Sequence, residues 1–178
     1  MKAKWKNWWW YHWWHVLLVA VVAGIVLYSF LPGLLRPKDD YSIAVISIGG
    51  ISEKTAAELT KRIISVSDDA NGDGRVNIRM NQFTVDLSGD ANAANYQETA
   101  RLDADLVGKV SSIFFIEDIV AFRANTAVPV QPGELCSEIM LFEDLELPEG
   151  MLFTIRSDSD DPAIFSLYGS ILSDSEWS

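Results

Sequence analysis

The sequence predicts an α/β protein: an N-terminal transmembrane helix, then one three-layer-like α/β domain with a mainly parallel sheet of three to five strands. Three observations carry this. Residues Val16 to Leu35 hold no charge and follow a basic, aromatic start. All twenty-five Asp and Glu residues lie at or after Asp39. From Tyr41 to Ile116, short apolar runs rich in branched side chains alternate with stretches of helical period, which is the order of strand–helix–strand units that build a parallel sheet.

The first fifteen residues set the expected location. Lys2, Lys4 and Lys6 precede the aromatic block Trp8-Trp9-Trp10-Tyr11-His12-Trp13-Trp14-His15, and Trp and Tyr favour the headgroup level of a bilayer. Twenty uncharged residues, 16–35, would span roughly 30 Å as a helix, the thickness of a hydrocarbon core. Only Arg36 and Lys38 follow that run closely, so the positive-inside rule places the N-terminus in the cytoplasm and the C-terminal region outside. The bulky exit Tyr28-Ser29-Phe30-Leu31 does not suit signal-peptide cleavage. The expected organisation is a cytoplasmic basic and aromatic tail (1–15), a single-pass span (16–35), a linker (36–40) and an exported α/β domain (41–178), located at the cell membrane. His12 and His15 share a helix face, but no third ligand stands near them, and they read as interfacial imidazoles.

From Asp39 onward nine Lys and Arg stand against twenty-five acids, a formal charge of 9 − 25 = −16. Nucleic acid is excluded as a partner, because phosphate binding needs a basic surface. About 140 residues suffice for one domain with its own core. The lone Cys136 cannot form an internal disulfide and reads as a buried small hydrophobe.

Within the domain, Tyr41–Ile48 reads as a buried strand ended by Gly49-Gly50. Ser52 is a natural N-cap for a helix over Glu53–Val66, with Ala56, Leu59, Ile63 and Val66 on one face. Val76, Ile78, Met80, Phe83, Val85 and Leu87 mark a second stretch of strand period, as one bent strand or two. Tyr96–Val110 reads as a helix, Ser111–Ile116 as a third strand, and Leu152–Ile155 as a fourth. Glu138–Leu147 is open between short helix and strand. Asp161-Pro162 opens a last helix over Ala163–Leu172.

The succession from Tyr41 to about residue 122 resembles the first lobe of extracellular solute-binding proteins of the maltose-binding type. The basic aromatic start, the single span and the turn Asn71-Gly72-Asp73-Gly74-Arg75-Val76 are also similar to small, uncharacterised single-span bacterial membrane proteins. There is no second lobe of comparable size to close a cleft, so the resemblance implies an accessory role more than autonomous solute capture.

One motif suggests a cofactor. Asp69-x-Asn71-x-Asp73-Gly74-Arg75-Val76 repeats the first eight positions of an EF-hand calcium loop. Asp69, Asn71, Asp73 and the Arg75 carbonyl would hold Ca²⁺, helped by Asp68 or Asp86. Position twelve, where a bidentate Glu is expected, is Met80, and the alternative is a tight turn whose residues tolerate positive φ. No His follows His15, which removes His-based triads and zinc chemistry from the domain. Glu117-Asp118, at a strand end, is the best-placed carboxylate pair, and a solvated strand end explains it equally. The expected function is therefore non-enzymatic: an interaction or accessory module partnered by the lipid bilayer and another membrane protein. The alternative is a sensory component that binds a solute or Ca²⁺ for such a partner.

Overall fold

The computed structural model describes residues 12–26, 28, 38–88 and 93–173, and the chain divides into two compact units, Met1–Pro37 and Lys38–Ser178. In the first unit, residues 12–26 form a helix, α1. Among the described residues, no helix is long and apolar enough to cross a membrane, which corrects the expected single-pass transmembrane helix over 16–35. Lack of charge does not by itself make a helix, and Pro32-Gly33 within that run are poor helix formers. Positions 27 and 29–35 of the expected span, most of the basic tail and linker positions 36 and 37 lie outside the described residues.

The second unit is built on a five-stranded sheet of order β2-β1-β3-β5-β4, with β1 Tyr41–Ser47, β2 Ile78–Thr84, β3 Ile113–Ile116, β4 Glu134–Leu135 and β5 Leu152–Ile155. β1 runs parallel to both β2 and β3, with Val45 opposite Gln82 and Phe115. β5 is antiparallel to β3 and to β4. The sheet is thus mixed, which corrects the mainly parallel sheet expected from the sequence. Connections decide it: a parallel return needs a crossover of a dozen or more residues, usually a helix, whereas β4 and β5 are joined only by irregular chain and two 3₁₀ turns, Cys136–Glu138 and Met140–Phe142.

Helices α2 Glu53–Val66, α3 Ala93–Val107, α4 Ile119–Asn125 and α5 Pro162–Ser173 cover the sheet. Alternate strand residues feed two cores, as the pleat requires. Tyr41, Ile43 and Val45, with Ile113 and Phe115, pack with Leu59 and Ile63 of α2 and Ile164, Leu167 and Ile171 of α5. Ala44, Ile46, Phe114 and Ile116 face the other way, towards Leu102 and Leu106 of α3 and Phe122 of α4. The result is three layers, helix on sheet on helix. α2 carries the chain from β1 out to β2 along one face, and α3 returns it past β1 to β3 along the other, the arrangement that two right-handed crossovers in opposite directions produce.

Helix ends follow local chemistry. Ser52 caps α2, its Oγ accepting from the Thr55 N–H at 3.1 Å. Asp118 does the same for α4, Oδ1 accepting from the Ala121 N–H at 2.8 Å.

Candidate functional site

The turn between α2 and β2 is held by its own side chains. Asp69 Oδ1 accepts from the N–H groups of Gly72 at 2.7 Å and Asp73 at 3.3 Å, and Oδ2 accepts from Gly74 at 2.6 Å. Asn71 Oδ1 accepts from the Asp73 N–H at 2.9 Å, and Asp73 Oδ1 from the Arg75 N–H at 2.9 Å. Gly72 and Gly74 adopt φ of +73° and +84°, the left-handed region that glycine enters without strain. Every residue of the Asp-x-Asn-x-Asp-Gly pattern therefore has a conformational task in the turn.

Asp40, which sequence reasoning left in the linker, fastens this turn to the start of β1. Its Oδ1 accepts from the Asn71 N–H at 2.9 Å and its Oδ2 from the Asn77 N–H at 2.8 Å, while Asn71 Nδ2 donates to the Lys38 carbonyl at 3.0 Å. The Tyr41 hydroxyl donates to the Asp68 carbonyl at 3.0 Å. Burial, then the nearby Asp68, Asp40, Asp161 and Asp69 carboxylates, push that phenol's pKa above its ordinary value.

Of the proposed calcium ligands, Asp69, Asn71, Asp73 and Arg75 are together in one exposed turn. Asp86 is not with them, since it follows β2 while the turn precedes it, at the far end of the strand. Met80 sits within β2, half-buried against the core, so the twelfth loop position is committed to packing. Among the described residues, no group of three or more His, Cys, Asp or Glu is gathered as a metal site; the turn offers two carboxylates, one amide and a backbone carbonyl.

The other singled-out residues have structural tasks. Glu117 Oε2 accepts from the Ile48 N–H at 2.8 Å and Asp118 caps α4, so the two carboxylates serve different partners. Cys136 is buried, and desolvation pushes its thiol up to about 12, far from a reactive thiolate at neutral pH. The His12 and His15 rings lie 6.1 Å apart, centre to centre, on α1.

Sequence reasoning missed two buried polar groups. Asp105, three residues after Leu102 and hence on the inner side of α3, accepts from Ser111 N–H and Oγ and from Asn81 Nδ2; the helical period contained this signal. Arg156, 3% exposed at the end of β5, donates from Nη2 to the Leu106 carbonyl at 2.8 Å and lies over the Phe114 ring. Its Nε is 3.7 Å from Asp158 Oδ1, close enough for ionic attraction but too far for a hydrogen bond. Nothing in local pattern marks an arginine for burial.

A cavity of about 240 Å³ opens at the N-terminal edge of β1 and β3, lined in part by Asp39, Asp40, Arg79 and Asp161. It is smaller than the roughly 300–1,000 Å³ of ordinary small-molecule pockets. Comparison with known proteins gives no match: no family pattern, no curated protein and no solved structure is similar to this chain.

Proposed function

We propose that this protein is a non-enzymatic accessory module associated with a lipid bilayer through α1, with the acidic unit 38–178 presented to a partner membrane protein. The observation that carries this reading is the surface of α1. Its fifteen residues 12–26 include no Asp, Glu, Lys or Arg, and all are exposed, among them Trp14, Val16, Leu17 and Val19 on different faces. A helix that exposes apolar side chains on several faces gains from surroundings that take that surface out of water. A lipid boundary provides such surroundings, since the helix satisfies its own backbone hydrogen bonds and Trp13 and Trp14 suit the headgroup level. Glu117 and Asp118 each use one carboxylate oxygen to hold a backbone N–H, a structural task.

Flotation with phosphatidylcholine vesicles tests it. The full chain is expected to rise with the vesicles while residues 38–178 alone stay below; equal partitioning of the two would overturn the reading.

A second reading, Ca²⁺ sensing, is favoured by the preorganised turn. Three N–H groups fix the Asp69 carboxylate before any ligand arrives, which lowers the ordering penalty of binding. Bound Ca²⁺ would raise stability by RT ln(1 + [L]/Kd), about 2.7 kcal/mol at a hundredfold excess over Kd. The titration should extend to tens of millimolar, because weak extracellular sites bind at roughly 10⁻⁴ to 10⁻³ M. Asp73→Ala is expected to abolish the rise in melting temperature. A wild-type melting temperature that stays constant would reduce the motif to a turn.

A further inference from the structure

We propose that the crevice beyond the carboxyl ends of β1 and β3 binds a primary ammonium group carried by a small organic amine. The topology makes the crevice. In the order β2-β1-β3 the crossovers leave in opposite directions, with α2 on one face and α3 on the other. Ligands of open α/β sheets gather where the connections part in this way.

The chemistry of the crevice selects the ligand. Ser47, the last residue of β1, is 2% exposed, and its Oγ is buried without a hydrogen-bond partner. A buried hydroxyl left unpaired is unfavourable, so a group that pairs with it is favoured there. Beside it, Glu117 uses Oε2 on the Ile48 N–H, and Oε1 has no partner among the described residues. Asp86 and Asp118 also line it, and among the described residues no basic side chain does. Acceptors with negative charge call for a cationic donor. At the N-terminus of α4 the capping group is itself a carboxylate, Asp118, which adds to the negative charge of the crevice.

Size narrows the class further. The cavity measures about 10 Å³, room for one water-sized group. A planar guanidinium or a quaternary ammonium is larger. A primary ammonium is close to water in size and directs three donors, enough for Ser47 Oγ, Glu117 Oε1 and one further carboxylate oxygen. This site is independent of the lipid reading, because it is remote in sequence from α1 and needs no bilayer.

The test uses the ¹⁵N-labelled full chain in detergent micelles, titrated with methylammonium chloride, tetramethylammonium chloride or sodium chloride at equal ionic strength. Methylammonium is expected to give saturable shifts at the Ile48 and Glu117 amides, and the other two salts only small, non-saturating ones. Ser47→Ala and Glu117→Gln should each weaken methylammonium binding about tenfold, while Glu138→Gln, on an exposed turn, should leave it unchanged. Equal responses to all three salts, or saturable binding unaffected by Ser47→Ala, would overturn the proposal. If Glu117→Gln disturbs folding, Ser47→Ala decides alone, because it removes an unpaired buried hydroxyl and no hydrogen bond of the fold.

Discussion

Replacing Phe115 by alanine is expected to lower the unfolding free energy by about 3–5 kcal/mol, the usual range for truncating a fully buried aromatic ring. Phe115 has no exposed surface and lies on β3, between Val45 of β1 and Phe153 of β5 in the sheet register. Its ring centroid is 5.3 Å from Phe142 and 5.2 Å from Phe153, and Phe153 in turn lies 5.3 Å from Tyr168 on α5. The cluster thus joins the parallel half of the sheet to the antiparallel half, the 3₁₀ turns and α5. No neighbour can move in to fill the hole without leaving another contact. A domain of this size is stable by roughly 5–15 kcal/mol, so the loss would bring it near its limit. Urea denaturation followed by tryptophan-independent circular dichroism checks it, with Val107→Ala, on an 85% exposed side chain, as the silent control. A change below about 1 kcal/mol for Phe115→Ala would show that the cluster is not the structural centre.

What could be read from the sequence divides along a physical line. α2 was legible to the residue, because Ser52, the apolar period of Leu59 and Ile63, and the polar turn after Val66 are all local signals. α5 was legible for the same reason, since Pro162 supplies a first helical residue. α3 begins at Ala93 and ends at Val107, three residues earlier at each end than its apolar spacing suggested. α4 was missed: it has seven residues, and its cap Asp118 read as a strand-end carboxylate. The direction of β5 was not legible at all. Leu-Phe-Thr-Ile looks the same in either orientation, and only the connection through the 3₁₀ turns sets it. At the turn, the Asp-x-Asn-x-Asp-Gly pattern was visible, but the clamp from Asp40 was not, because it acts across thirty-one residues.

The buried polar network around Asp105 should be the second most sensitive place in the fold. Asp105 is 7% exposed, and its carboxylate accepts three hydrogen bonds: from the Ser111 N–H at 3.2 Å, the Ser111 Oγ at 3.1 Å and Asn81 Nδ2 at 3.0 Å. Through these the C-terminal end of α3 is tied to β2 and to the chain that enters β3. Between them lies a tight reversal, in which Lys109 takes φ of +51° and a Cβ on Gly108 would stand 2.9 Å from the Ala104 carbonyl. Asp105→Ala leaves the fully buried Ser111 N–H without an acceptor, and removes one partner each from the Ser111 and Asn81 side chains. An orphaned buried donor costs about 1–3 kcal/mol, and bonds to a charged acceptor are the stronger kind, so a loss of about 2–4 kcal/mol is expected. Asp105→Asn separates the contributions. It retains one acceptor oxygen but turns an NH₂ group towards a donor, and should fall between wild type and Asp105→Ala. Hydrogen exchange adds a local readout, since the Ser111 amide should lose protection in both variants, and more in the alanine variant. A loss under about 0.5 kcal/mol in Asp105→Ala, with Ser111 protection intact, would mean that water replaces the carboxylate at no penalty and that the reversal holds α3 against the sheet without it.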